Sequence, residues 1–200
     1  SSRIEGNTYS LLDTEALIKE HREAPGHSKD EAVMILNHKH ALYYIMEHPT
    51  TFKTITLRDI RSIHDLMVAG LPVERGLRTR PVGIVGTRYK PLDNDHQIKE
   101  ALQKTLVVLN HLKDPFSKAL AAIVMISYIQ PFADGNKRTA RMLGNAILLA
   151  YQVCPLSYRS VDEVAYKKAT ILWYEQNTIR AFKQLFVEQL NFAVDNYFLA

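Results

Sequence analysis

The sequence predicts an all-α fold with one short β-hairpin, and three observations predict it. Apolar residues recur at three- and four-residue spacing along most of the 200 residues. Capping residues stand ahead of those runs, and proline or glycine closes them. Only Pro81 to Pro91 instead gathers β-branched and aromatic residues around glycine, as a hairpin does.

Taken in order, Thr14 to Glu23 forms a short helix, stopped before Pro25-Gly26. Ser28 with Glu31 three residues on makes a capping box. The helix behind it spaces Val33, Leu36, His40, Tyr43 and Tyr44 helically and halts near Pro49. Leu57 to Val68 repeats the pattern with Ile60, Ile63, His64 and Met67, and ends at Gly70. Asp95 to Lys113 and Pro115 to Ile129 follow, the second apolar enough to be buried on most sides. The remaining helices are Asn136 to Tyr151, Ser160 to Lys168 (capped by Ser160 and Glu163) and Thr178 to Tyr197. In the last, Phe182, Phe186, Phe192 and Tyr197 form a packing seam. An isolated hairpin at Pro81 to Pro91 needs something to pack on. No repeat, linker tract or composition break divides the chain, so residues 1–200 are expected to form one domain.

Composition narrows the function. At 46% hydrophobic and 23% charged, with 8 Gly and 8 Pro, the chain is neither disordered nor collagen-like. The net charge, 25 − 21 = +4, suits phosphate without demanding nucleic acid. Cys154 has no partner cysteine, which points to a reducing, cytoplasmic setting. Followed by Pro155, it reads as an apolar filler rather than a nucleophile. No run of about 18 apolar residues offers an ordinary membrane span. HExxH, CxxC and GxxxxGK(S/T) are all absent from the sequence. His38 and His40 lie two apart on a helix, a poor metal pair.

Chemistry concentrates at residues 130–141, Gln-Pro-Phe-Ala-Asp-Gly-Asn-Lys-Arg-Thr-Ala-Arg. Pro131 turns the chain out of a buried helix, Phe132 can plug the loop into the core, and Gly135 allows close approach of a ligand. The helix opening at Asn136 presents unpaired N–H groups and a positive dipole end, a natural anion site. Lys137, Arg138 and Arg141 add cations, and the two arginines, three apart, share a face that can grip successive phosphates. Asp134 would repel bare phosphate, so it makes sense with Mg²⁺ between them. Singly, each residue has a plain structural reading as a cap neighbour or solvated face. Together they point to a nucleotide triphosphate.

This stretch resembles the signature of the Fic family, HPFx(D/E)GN(G/K)RxxR, at every defining position but the first. The helical layout, the Gly76-Leu77-Arg78 approach to the hairpin and the helices after the motif extend the resemblance over most of the chain. It implies transfer of AMP from ATP, with Mg²⁺, onto a hydroxyl of a target protein. Asp134 would hold the metal, Gly135, Asn136 and Lys137 would line the anion hole, and Arg138 and Arg141 would contact the β- and γ-phosphates. The hairpin at 82–90, with Val82, Ile84, Thr87 and Arg88, would be the flap that docks a target segment by strand pairing.

Two departures stand out. The family's first motif residue is a histidine base, and Gln130 stands there. A neutral amide can orient a hydroxyl but cannot take its proton near pH 7, and losing a general base costs about 10²–10⁴ in rate. The eight histidines all lie far from 130 in sequence. Lys137 replaces the more usual glycine, as in a kinase-like branch, but that branch has Ala where this chain keeps Gly135.

Ser1-Ser2-Arg3-Ile4-Glu5-Gly6 resembles the family's inhibitory motif, (S/T)xxxE(G/N), in the version that precedes the core, so residues 1–13 are expected to form an inhibitory segment. By that resemblance Glu5 pairs with Arg141 in the place of the γ-phosphate, which ATP must displace. Around the hairpin, Arg75, Arg78, Arg80, Arg88 and Lys90 form either a solvated rim or a dock for an acidic target. Stacking aromatics are too thin there for a nucleic-acid groove. The functional alternatives are therefore a self-inhibited AMP-transferase handicapped at Gln130, a catalytically inactive nucleotide-binding regulatory module, and, more remotely, a DNA-associated domain. The exposed helical faces permit a homodimer without specifying one.

Overall fold

A computed structural model describes residues 2–198, and Ser1, one of the expected inhibitory residues, lies outside the described residues. Among the described residues the chain is helical throughout: α1 Leu11–Glu20, α2 Lys29–Glu47, α3 Leu57–Met67, α4 Asp95–His111, α5 Pro115–Ile129, α6 Asn136–Ala150, α7 Glu163–Gln176 and α8 Arg180–Ala193. Short 3-10 turns at Ser2–Glu5 and Thr51–Lys53 and a π-type turn at Val194–Phe198 complete it.

Local chemistry sets most of these limits. Ser28 accepts from Glu31 N–H while Glu31 answers back to Ser28, the expected capping box. Asp114 caps α5, with Pro115 in its first turn. Three expectations move. The first helix begins at Leu11 rather than Thr14, because Ser10 caps it through Asp13 N–H. Asp162, not Ser160, caps α7 through Ala165 N–H, and the helix runs on to Gln176. Ser160 Oγ accepts from Gln189 Nε2 instead. The last helix opens at Arg180 rather than Thr178 and passes after Ala193 into the π-type turn Val194–Phe198.

The expected hairpin is absent: residues 82–90 contain no strand. A two-stranded ribbon alone has too little to stabilise it, and this segment finds other partners. Glu175 on α7 accepts from Thr87 Oγ (2.7 Å) and Arg88 N–H (2.8 Å). Tyr89 stacks on Tyr174, lies tilted against Tyr128 and donates its hydroxyl proton to Tyr128 O.

Antiparallel neighbours α5 and α6 form the centre, with α3 and α2 against α6 and α4 against α5. Only Lys137 and Leu149 of α6 escape full burial. Gly144 permits this approach, since a Cβ there would lie 2.6 Å from Ile123 Cδ1. Of the aromatic seam on the last helix, Phe182 and Phe186 enter the core, while Tyr197 stays exposed.

Candidate active site

Residues 130–136 link the two central helices through a loop whose shape is set at nearly every position. Gln130 ends α5 in the left-handed region (φ 50°), its N–H on Ile126 O. Phe132 is fully buried, and Asn136 spans it, donating from Nδ2 to Phe132 O and accepting Phe132 N–H, both at 2.8 Å. Gly135 opens α6 at φ 78°, where a Cβ would come 3.1 Å from Val68 Cγ1.

Beneath the loop lies a residue that the sequence showed only as part of an apolar stripe. His64, fully buried on α3, stacks on Phe132 with centroids 3.7 Å apart and planes 7° apart. Its Nε2–H donates to Asp134 O at 3.0 Å. Burial pushes its pKa down, so it stays a neutral donor. A single histidine at helical spacing carries no signal for this role, because the partner is 70 residues away.

Arg78 is a second such residue. Expected in the basic cluster, it is buried, and it donates from Nε to Gln130 O (2.6 Å) and from Nη1 to Arg80 O (2.9 Å), while its N–H bonds Pro131 O. It ties the start of the 82–90 segment to the loop and offers nothing to a docked target.

The loop borders a cavity of about 680 Å³ that Glu5, Val82, Gln130, Asp134, Lys137 and Tyr174 help to line. No histidine lines it. The Gln130 amide nitrogen donates to Ser127 O (2.6 Å) and reaches the Tyr174 hydroxyl at 3.4 Å. His38, although half-buried by area, is pushed down to about 3 by burial and by Arg141 and Arg138, so it also stays neutral.

The two arginines differ. Arg138 is buried and its Nη2 holds the exposed Asp134 carboxylate at 3.0 Å. Its Nη1 is buried without a hydrogen-bond partner, an arrangement that costs free energy unless an acceptor completes it. Arg141, 1% exposed, reaches from Nη1 to Glu5 Oε1 (2.8 Å) and to the Tyr166 hydroxyl (3.2 Å), and lies over the Tyr158 and Tyr166 rings. Burial works to raise the Glu5 pKa, but Arg141, Lys137 and Arg138 outweigh it and hold the carboxylate ionised. Tyr166, Thr170 and Tyr174 reach the cavity from α7, and nothing in the sequence flags them, since α7 packs there only in the folded chain.

Among the described residues no group of three or more His, Cys, Asp or Glu could hold a metal by itself. A cation at Asp134 would need its remaining oxygen ligands from phosphates and water, as Mg²⁺ commonly does.

Comparison with known proteins places the chain among its relatives. Residues 54–148 match the model of the Fic/DOC family. A protein adenylyltransferase Fic of Nematostella vectensis is 31% identical over 178 residues, covering 83% of this chain and 40% of that protein. Its namesake in Aedes aegypti is 34% identical over 155 residues, 73% of this chain and 30% of that protein. The solved structure of Fic-1 from C. elegans shares the fold with a TM-score of 0.83 at 24% identity, over 98% of this chain and 59% of that one. The chain thus spans less than half the length of these two curated relatives.

Proposed function

This chain belongs to the Fic/DOC family, and from that premise we propose that it is an ATP-binding protein adenylyltransferase, self-inhibited by Glu5 and slowed by Gln130. The observation that carries the reading is Arg138, a buried guanidinium with one nitrogen unsatisfied beside the opening of α6. A phosphate at the opening of α6 would be met by the first-turn N–H groups and would give that nitrogen a partner. Asp134 is the side chain that would hold Mg²⁺, which would screen the phosphates from its own charge.

In the transfer, the oxygen of a target hydroxyl attacks the α-phosphorus, the bond to the bridging oxygen breaks, and pyrophosphate leaves. The hydroxyl proton needs an acceptor. Gln130 can orient the hydroxyl but cannot accept that proton, and no histidine lines the cavity to replace it. Residues 82–90 would dock the target. Val85 stands fully exposed there, and an added strand would pair with the backbone ahead of Thr87, since Arg88 and Tyr89 N–H are held by Glu175 and the Thr87 hydroxyl. The Glu5–Arg141 pair would occupy the ground of the γ-phosphate, so the segment acts as a brake. We assign the chain to the cytoplasm on its lone Cys154, and take residues 1–200 as one domain.

A catalytically inactive, nucleotide-responsive module is the second reading, and one observation favours it: the Gln130 amide nitrogen is engaged by Ser127 and Tyr174 rather than turned to a substrate. ATP labelled at the α-phosphate separates the two. Transfer of label to protein, rising at least tenfold in Gln130→His, supports the transferase. Binding of ATP without transfer in either form supports the module.

A further inference from the structure

We propose that Glu31 is a positioning residue of the nucleotide site: it clasps residues 7 and 8 to the start of α2 and so holds Glu5 on Arg141. The inference rests on the reading of Glu5 as a brake. Glu5 closes the short 3-10 turn Ser2–Glu5, too brief to hold itself in place, and Gly6 (φ 86°) turns the chain immediately after it. The next residues are then fixed to one side chain. Glu31 Oε1 accepts Thr8 N–H at 2.7 Å and Thr8 Oγ–H at 2.6 Å, and Oε2 accepts Ser28 N–H at 3.0 Å and Ser28 Oγ–H at 3.1 Å. Asn7 Nδ2 donates to Glu31 O at 3.0 Å, and Asn7 Oδ1 accepts Tyr9 N–H. Thr8 Oγ also meets His27 Nδ1 at 2.9 Å, and the Tyr9 ring lies against the His27 ring.

One carboxylate therefore does two tasks with its two oxygens. Oε2 closes the capping box of α2 and Oε1 grips the chain three residues beyond Glu5. A clasp that close raises the effective concentration of Glu5 at Arg141 without touching either. Glutamine at 31 can still close a capping box, but it has a single acceptor oxygen, so it cannot serve Ser28 and Thr8 together. Thr8→Val removes the hydroxyl bond and leaves the capping box whole.

Calorimetric titration with Mg²⁺ and a non-hydrolysable ATP tests this in the full chain. Glu31→Gln and Thr8→Val should each tighten binding about three- to tenfold, and Glu5→Gly by more. In the Glu5→Gly background neither should add anything, the non-additivity of residues acting in one chain of contacts. A merely structural role would lower the melting temperature without tightening binding. If Glu5→Gly tightens binding while Glu31→Gln and Thr8→Val do not, the clasp is overturned and the brake stands. If Glu5→Gly itself leaves affinity unchanged, the brake is overturned and the clasp with it.

Discussion

The inner wall of the cavity and its outer wall are held by different kinds of contact. Inside, Phe132 is fully buried on His64, Asn136 bridges Phe132, and Gly135 sits against Val68. Outside, residues 82–90 are tied to α7 through Glu175, and Glu5 is followed by a segment tied to α2 through Glu31. Bonds inside a dry core cannot be exchanged for water, whereas bonds to exposed carboxylates are exchanged at little cost. The difference teaches which wall is fixed and which can yield, as the proposed binding of ATP and a target would require.

The contrast can be broken by substitution. Phe132→Ala should cost about 3–5 kcal/mol in urea unfolding, and a loss below about 1 kcal/mol would mean the inner wall is not built on this plug. Asn136→Ala should cost about 2 kcal/mol, because it strands the buried N–H and C=O of Phe132. Stability equal to wild type would remove Asn136 from the scaffold. For the outer wall, Glu175→Ala should leave the unfolding midpoint in place while amide exchange at residues 82–90 accelerates several-fold. A drop of many degrees would make that segment part of the core.

A titration gives the finest comparison. The Thr8 hydroxyl first, then the Thr8 and Ser28 amides, lower the Glu31 pKa to about 2 from an ordinary 4.5. A depressed carboxylate contributes its full stabilisation above about pH 4.5 and loses it as pH falls through about 2. Thr8 resonances followed by NMR should therefore hold still from pH 7 to 5 and move only toward pH 2. Movement centred near 4.5 would show that the clasp is not made.

Several features were legible because their contacts are local. Pro115–Ile129 follows from its proline start, its apolar run and Pro131, and the Ser28–Glu31 box closes over three residues. Residues 130–141 announced a loop leading into a helix that opens at Asn136, and both are present. Others were illegible because their partners are distant. Residues 82–90 alternate as strands do, yet a two-stranded ribbon has no partner sheet here, and Glu175 and Tyr174 decide its path. Arg78 looks like every other surface arginine until three carbonyls surround it.

By itself, then, the sequence determined the helical class, the loop that runs into a helix at Asn136 and the neutral side chain at position 130, since each depends on residues within a few turns of one another. Tertiary structure alone decided that Arg138 keeps an unsatisfied nitrogen and that Tyr166 joins the expected Glu5 on Arg141. Local patterning carries no information about which charges will be desolvated together, and it is desolvation that turns two similar arginines into different groups.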